Sequence, residues 1–198
     1  MRSSNHALIV IDVQSDFCPG GALAVEGGDE IVAGINALMA EFSAVILTQD
    51  WHPAGHSSFA STHDADPFTT YEAPYGTQVL WPDHCIQGTD GAAFHPALNT
   101  HGDLIIRKGY TPAIDSYSAF FENDKTTPTG LEGYLRSRGI DTVTIVGLAL
   151  DYCVNYSAQD AAKLGFKTTV LTNLCRAIDA STEATARAEM AALGVEVR

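Results

Sequence analysis

The feature that most constrains the fold is a regular alternation of short apolar runs with helical patterns. The apolar runs are unbroken, as in strands buried on both faces of a sheet, and lie at 7–11, 44–47, 104–106, 142–146, 168–171 and 195–197. Between them, apolar residues recur every three to four positions at 31–42, 131–135 and 154–162, and a final helix is predicted over about 181–193, where Glu183 and Arg187 are spaced for an i,i+4 pair. This alternation predicts an α/β fold, a doubly wound open parallel sheet of about six strands with helices on both faces.

Composition excludes several classes of partner. With 198 residues and 45% apolar content, the chain is expected to form one domain over 1–198. The net charge of -13 would repel a phosphate backbone, so nucleic acid is not an expected partner. No apolar run approaches the roughly 20 residues of a membrane span, and no signal region precedes the first strand. Four cysteines without a CxxC pair indicate reduced thiols, so we predict a cytoplasmic protein with no membrane partner.

One long segment, from about 51 to 102, interrupts the alternation. It has little periodicity but contains Trp51, Trp81 and six of the seven histidines. Loops of this length in compact domains are usually functional or disordered, and the aromatic and histidine content argues against disorder. We therefore expect a folded loop that lines a site.

Four chemically capable side chains follow the predicted strands at one edge of the sheet, where open parallel sheets bind their ligands. Asp12 ends the first strand, Asp50 the second and Lys108 the third, and Cys153 follows the fourth. Taken singly, Asp12 could anchor a loop, Lys108 could be a solvated charge, and Cys153 could be an apolar filler. Together they offer what a nucleophilic thiol requires, namely a base and a cation or helix N-terminus that holds the thiolate.

The histidines suggest a metal site. Asp50 and His52 lie two residues apart in extended chain, so their side chains can share one side. A carboxylate with imidazoles suits a divalent transition metal, and His84 and His56 are candidates to complete the set. The alternative is that loop histidines cap turns or face water, and we favour that role for three others, His63, His95 and His101.

Several long motifs, in order and at compatible spacing, carry a family resemblance. They are IDVQSDFCPGGAL, TQDWHPAGHSSFA, WPDHC, the RKG at 107–109, DSYSAF and GLALDYCV. Through them the chain resembles, nearly end to end, the nicotinamidases or pyrazinamidases of the isochorismatase-like cysteine hydrolase superfamily. The resemblance implies a three-layer α/β/α hydrolase that deaminates nicotinamide to nicotinate and ammonia through a cysteine thioester, as a step of NAD salvage. Its substrate would be a small pyridine carboxamide, with pyrazinamide also accepted.

The resemblance also assigns roles to residues. It implies that Asp12 is the general base, Lys108 the cation that stabilises the thiolate, and Cys153 the nucleophile. It implies a single divalent metal ion, with zinc favoured over iron or manganese, held by Asp50, His52 and His84, with His56 as a candidate further ligand. The backbone N–H groups of Ala149 and Cys153 would form the oxyanion hole, next to a cis peptide between Leu148 and Ala149. The expected substrate-binding residues are Phe17, Trp81, Tyr117 and Leu148.

One departure and several alternatives accompany this interpretation. Leu150 stands where relatives often carry a small polar residue, which could alter turn geometry or pocket polarity. Another amidohydrolase of the superfamily, acting on carbamoyl or ureido substrates, would share Asp12, Lys108 and Cys153. The non-enzymatic alternatives are a receiver-like module and a metal-binding α/β module. The sequence leaves monomer and homo-oligomer open.

Overall fold

The architecture is a parallel sheet between layers of helices, described by a computed structural model over residues 4–198. The strands in chain order are β1 (His6–Ile11), β2 (Val45–Asp50), β3 (Thr70–Ala73), β4 (Gly76–Val79), β5 (Leu104–Lys108), β6 (Thr142–Leu148), β7 (Lys167–Arg176) and β8 (Glu196–Val197). Six of them form one sheet in the order β5-β2-β1-β6-β7-β8, and every neighbouring pair is parallel. The predicted number and direction of strands are therefore confirmed.

Helices cover both faces of this sheet. They are α1 (Val32–Met39), α2 (Leu131–Ser137), α3 (Asn155–Lys163) and α4 (Ala180–Ala192). Alternate residues of β1 point to opposite faces, as in any strand, so Ile9 packs with buried residues of α2, α3 and α4 while Leu8 packs with α1. The predicted doubly wound arrangement is confirmed. Across residues 4–198, no helix has both the length and the apolar character that crossing a bilayer demands.

The strand order creates a crevice at the centre of the sheet. The chain runs outward from β1 to β2 and β5, and then returns to place β6 on the other side of β1. In open α/β sheets, ligands bind beyond the carboxyl ends of the strands where the order reverses in this way. Here that point lies beyond β1 and β6.

Two details of the sequence prediction are wrong. The strands at and near the edges are not buried on both faces, because β5 is an edge strand that exposes Ile105, and β7 is longer than predicted, with several partly exposed residues. The segment 51–102, predicted as a loop, also contains regular structure, because β3 and β4 form an antiparallel hairpin within it. These hairpin strands are short and mostly polar, which explains why no apolar periodicity marked them.

Gly147 is required by the backbone where β6 passes β1. Its φ is +121°, and a Cβ there would lie 2.1 Å from the carbonyl oxygen of Ile11. We therefore expect Gly147→Ala to destabilise the protein by roughly 2 kcal/mol or more, measured by urea unfolding. Gly133→Ala in α2 is the control, because nothing lies within 4 Å of its added Cβ, and helix propensity favours alanine. Equal stability of the two variants would contradict this requirement.

Candidate active site

The nucleophile candidate lies in the turn that joins β6 to α3. The peptide bond between Leu148 and Ala149 is cis, as the resemblance implied, and residues Leu150–Val154 form a π-helical turn that leads directly into α3. Cys153 lies in this π-helical turn, immediately before α3, and is only 6% exposed. The predicted position of Cys153 near a helix start is thus confirmed, and backbone N–H groups of a first turn favour a developing negative charge.

Three predicted residues from separate strand ends meet around one ammonium group. Lys108, fully buried at the end of β5, places its Nζ 2.8 Å from Asp12 Oδ2 and 3.5 Å from Cys153 Sγ. The same Nζ donates to the Asp50 carboxylate and, at 2.9 Å, to the carbonyl oxygen of Ser116. Asp12 is oriented in turn by Thr48, whose hydroxyl donates to Asp12 Oδ1 at 2.6 Å. A carboxylate, a cation and a thiol thus share one buried position.

Burial and charge set the protonation of this group. Burial raises the pKa of the Cys153 thiol well above its ordinary value, and Lys108 opposes that rise. Burial also raises the pKa of the Asp12 carboxyl, which Lys108 partly offsets. Burial would lower the pKa of Lys108, but the charges of Asp12 and Asp50 raise it well above its usual range. Lys108 therefore stays charged, and a raised carboxyl pKa suits a residue that must both take up and release a proton.

Asp50, His52 and His84 form a possible metal site next to this group. The Nε2 atoms of His52 and His84 lie 3.7 and 3.8 Å from Asp50 Oδ2. Each imidazole is fixed through its other nitrogen, since His52 Nδ1 meets the Gly109 carbonyl at 2.8 Å and His84 Nδ1 meets the Pro82 carbonyl at 2.7 Å. Buried His52 Nε2 has no hydrogen-bond partner among residues 4–198. Two oriented imidazoles, one of them with an unpartnered nitrogen, and a carboxylate fit a divalent transition metal.

The Asp50 carboxylate connects the two clusters. Its Oδ1 is paired with Lys108 while its Oδ2 faces both histidines. Burial would raise its pKa, but the charge of Lys108 and the nearby imidazoles of His52 and His84 hold that pKa well below the ordinary value. Asp50 is therefore ionised, as a metal ligand must be.

His56 is placed differently from the other metal candidates. Its Nδ1 meets Ser58 Oγ at 2.8 Å, and its Nε2 faces the carbonyl oxygens of Thr111 and Ile114 at 3.0 and 3.3 Å. It stacks beside His52 but does not join the cluster around Asp50. His56 instead lies with His52 and Asp115 in a separate group that could hold a metal ion, so its role as a further ligand stays a prediction.

A pocket opens between the Cys153 thiol and His84. Its lining residues are Phe17, Leu23, Asp50, Trp81, His84, Asp115, Tyr117, Ala149, Tyr152, Cys153 and Ile178. Phe17, Trp81 and Tyr117 line the pocket as expected, and Trp81 Nε1 donates to the Tyr117 hydroxyl at 3.1 Å. Leu148 is not among the lining residues, since its side chain is fully buried in the core cluster that also contains Phe17, Trp81 and Ala149, and its role in substrate binding stays a prediction.

Sequence reasoning missed four residues of the pocket wall. Asp115 belongs to the DSYSAF motif, and Tyr152 precedes the nucleophile, so both carried a signal of position. Leu23 ends the IDVQSDFCPGGAL motif and so carried the same kind of signal, whereas Ile178 carried none, because it lies in the connection after β7 that only the folded sheet brings to the site. A correct end for β7 would have pointed to Ile178.

The family is decided by a match that covers almost the whole chain. A model of the Isochorismatase domain matches residues 6–198. The chain belongs to the isochorismatase family. Among curated proteins, this family member is similar to the nicotinamidase of Acinetobacter baylyi, with 56% identity over 180 residues, 90% of this chain and 84% of that protein. The predicted resemblance to the nicotinamidases is confirmed.

The fold of this isochorismatase-family chain is also similar to solved structures of nicotinamidases and pyrazinamidases. The nicotinamidase pyrazinamidease of Acinetobacter baumanii shares 54% identity with a TM-score of 0.98, over 100% of this chain and 97% of that one. An L. infantum protein in complex with nicotinate is 41% identical, with a TM-score of 0.88 over 99% and 93% of the chains. The pyrazinamidase of Pyrococcus horikoshii in complex with zinc is 34% identical, with a TM-score of 0.81 over 98% of each chain. The isochorismatase-like α/β fold is thereby confirmed.

Proposed function

We propose that this chain hydrolyses nicotinamide to nicotinate and ammonia, and pyrazinamide likewise, with Cys153 as nucleophile. The nicotinamidases among its relatives support the reaction. The observation that carries the residue assignment is the position of Lys108 Nζ, which lies 2.8 Å from the Asp12 carboxylate and 3.5 Å from Cys153 Sγ. Such an arrangement pairs a thiol with a base and keeps a cation ready for the thiolate.

The first half of the reaction forms a thioester. Asp12 accepts the proton of the Cys153 thiol, Lys108 stabilises the thiolate, and sulfur attacks the carboxamide carbon. The backbone N–H groups of Ala149 and Cys153 donate to the oxygen of the tetrahedral intermediate. Asp12 then gives its proton to the amide nitrogen, so the C–N bond breaks and ammonia leaves.

The second half repeats the proton transfers with water. Asp12 takes a proton from a water molecule, whose oxygen attacks the thioester carbon. The C–S bond breaks, the thiolate regains a proton from Asp12, and the acid product loses its own proton to solvent and leaves as nicotinate. A base with a raised carboxyl pKa suits this cycle because it changes protonation state twice in each half.

The pocket accounts for recognition of a flat heteroaromatic ring. Phe17 comes from the loop after β1, Trp81 from the loop after β4, and Tyr117 from the loop after β5. Aromatic walls bind a planar ring through offset or edge contacts, which are worth about 0.5–1.5 kcal/mol beyond burial. Aliphatic carbamoyl or ureido compounds would gain little from such walls, which favours the pyridine carboxamide over that alternative substrate class.

Asp50, His52 and His84 would hold a divalent metal ion, with zinc favoured and iron or manganese as alternatives. The zinc in the Pyrococcus horikoshii relative supports zinc here. When bound, the ion supplies a positive centre that orients the ring nitrogen of the substrate, directly or through water. The cytoplasm stays a prediction, supported by the need of Cys153 for a reducing compartment.

Removing one ligand should weaken both metal and substrate binding. For His84→Ala we expect at least about a tenfold loss of zinc affinity and a raised KM for nicotinamide, because one of three ligands is gone. Metal content after dialysis and steady-state kinetics measure the two effects. His101→Ala, which removes an exposed loop histidine, should change neither. Full zinc content in His84→Ala would contradict the proposed ligand set.

The direct test of the proposed function is ammonia release by the purified, zinc-loaded protein. We expect turnover of nicotinamide and pyrazinamide, and little or none of matched aliphatic carbamoyl and ureido amides. Turnover of the ureido amides alone would favour the second candidate activity. No turnover of either class by folded, metal-loaded protein would overturn the proposal.

A further inference from the structure

The segment that follows β1 sends alternate side chains to separate parts of the active site. Asp12 pairs with Lys108, as described above, and the next alternate positions are Gln14 and Asp16. Neither Gln14 nor Asp16 lines the pocket or belongs to the possible metal ligands. Both side chains nevertheless form hydrogen bonds with the backbone at or next to the possible metal ligands.

Gln14 forms hydrogen bonds with both backbone polar groups of Asp50. Its Oε1 accepts the Asp50 N–H at 2.8 Å, and its Nε2 donates to the Asp50 carbonyl oxygen at 2.9 Å. The same Nε2 donates to the carbonyl oxygen of Ala92 at 2.9 Å, and the side chain is fully buried. A buried amide with every contact to backbone fixes a position rather than taking part in chemistry.

These hydrogen bonds replace a strand pairing that has ended. The parallel pairing of β1 with β2 runs only to Val10 and Leu47, three residues before Asp50. On its other side, Asp50 still pairs with Lys108 of β5. Gln14 therefore supplies the contacts that β1 no longer provides, at the residue whose carboxylate serves both Lys108 and the histidines.

Asp16 performs a corresponding task for the histidines. Its Oδ2 accepts the N–H of Cys85 at 2.7 Å, and Cys85 directly follows His84. The carbonyl oxygen of Cys85 in turn accepts the N–H of His52 at 3.0 Å. Gly91 packs so closely that an added Cβ would lie 2.1 Å from Asp16 Oδ2, so the carboxylate has little freedom to move.

We propose that Gln14 and Asp16 are positioning residues that set the metal site relative to the catalytic base. Because Asp12, Gln14 and Asp16 belong to one short segment, the segment fixes Asp50, His52 and His84 in register with Asp12 and Cys153. The inference rests on the proposed metal ligands and adds to them the residues that hold their geometry. Contacts beyond the ligands typically change metal affinity by about 10–100-fold.

The test measures metal binding rather than turnover. Cobalt(II) affinity is determined by competition with a chromophoric chelator, and the visible absorption spectrum of bound cobalt(II) reports ligand geometry. Gln14→Met should bind cobalt(II) about 10–100-fold more weakly and with an altered spectrum. Asp16→Asn, which keeps the shape but removes the charge from the bond to Cys85, should produce a smaller change in the same direction.

Asn36→Leu is the matched control for loss of an amide side chain that is hydrogen-bonded to backbone through both its nitrogen and its oxygen. Asn36 also grips backbone at both ends, since its Nδ2 donates to the Ala97 carbonyl at 2.8 Å and its Oδ1 accepts the Asn99 N–H at 2.7 Å. It lies on α1, away from the pocket, so its loss should lower the thermal midpoint without changing cobalt(II) affinity or spectrum.

The outcomes separate this inference from the proposals on which it rests. Wild-type affinity and spectrum in Gln14→Met would overturn the positioning role while leaving the metal site standing. Absence of cobalt(II) binding by the wild type would overturn the metal site and the inference together. If Gln14→Met does not fold, Gln14→Glu decides, because it keeps the acceptor for the Asp50 N–H and loses the amide donors. Weakened binding in that variant supports the role, and wild-type binding overturns it.

Discussion

Replacing Cys153 with alanine is expected to lower nicotinamide turnover by roughly 10³-fold or more while leaving the fold intact. The sulfur forms the covalent bond to the substrate, and no other group in the pocket can take that role at the same position. The variant keeps the Cβ and removes one atom that makes a long contact of 3.5 Å with Lys108. Ammonia release measures turnover, and thermal unfolding of the same sample measures the fold.

Cys175→Ala is the matched control for this result. Cys175 is also a free, buried cysteine, but it lies in β7, and its Sγ donates to the carbonyl oxygen of Leu171 at 3.4 Å. Its loss should cost stability and spare turnover. Mass spectrometry adds an independent readout, since wild-type and Cys175→Ala proteins quenched during turnover should carry the acyl group on Cys153, and Cys153→Ala should carry none. Turnover in Cys153→Ala close to that of the wild type would refute the thioester mechanism.

The sequence allowed the catalytic group to be predicted because parallel strands end at one edge. Asp12, Asp50 and Lys108 each close a strand, so knowing the strand ends was enough to expect that they meet. Cys153 needed one further fact, that a helix begins just after β6. The family resemblance then supplied roles that position alone left open.

The rest depended on tertiary contacts that no local pattern records. The family resemblance implied that Leu148 binds substrate, whereas strand alternation points it with Val146 into the core. Ile178 lines the pocket only because β7 extends further than its apolar run indicated. Gln14 reads as an ordinary polar residue after a strand, and its role is visible only where its amide meets the backbone of Asp50.

Lys108→Met should have the broadest effect of the single substitutions, because it removes the cation that both clusters share. The ammonium is fully buried between the carboxylates of Asp12 and Asp50. Without it, two buried carboxylates face each other uncompensated, and breaking a buried ion pair by removing one partner costs about 3–5 kcal/mol. We therefore expect a large drop in the free energy of unfolding, measured with urea.

Turnover of the folded Lys108→Met protein should also be lost, for a separate reason. Burial already raises the pKa of the Asp12 carboxyl, and the charge of Lys108 opposes that rise, so removing Lys108 raises the pKa further and favours the protonated acid. A protonated Asp12 cannot accept the thiol proton, and the thiolate loses its counter-charge at the same time. Lys163→Met, an exposed lysine at the end of α3, controls for loss of one positive charge and should match the wild type in both measurements. Wild-type stability and turnover in Lys108→Met would show that the cation is dispensable, which the buried position of its Nζ between two carboxylates argues against.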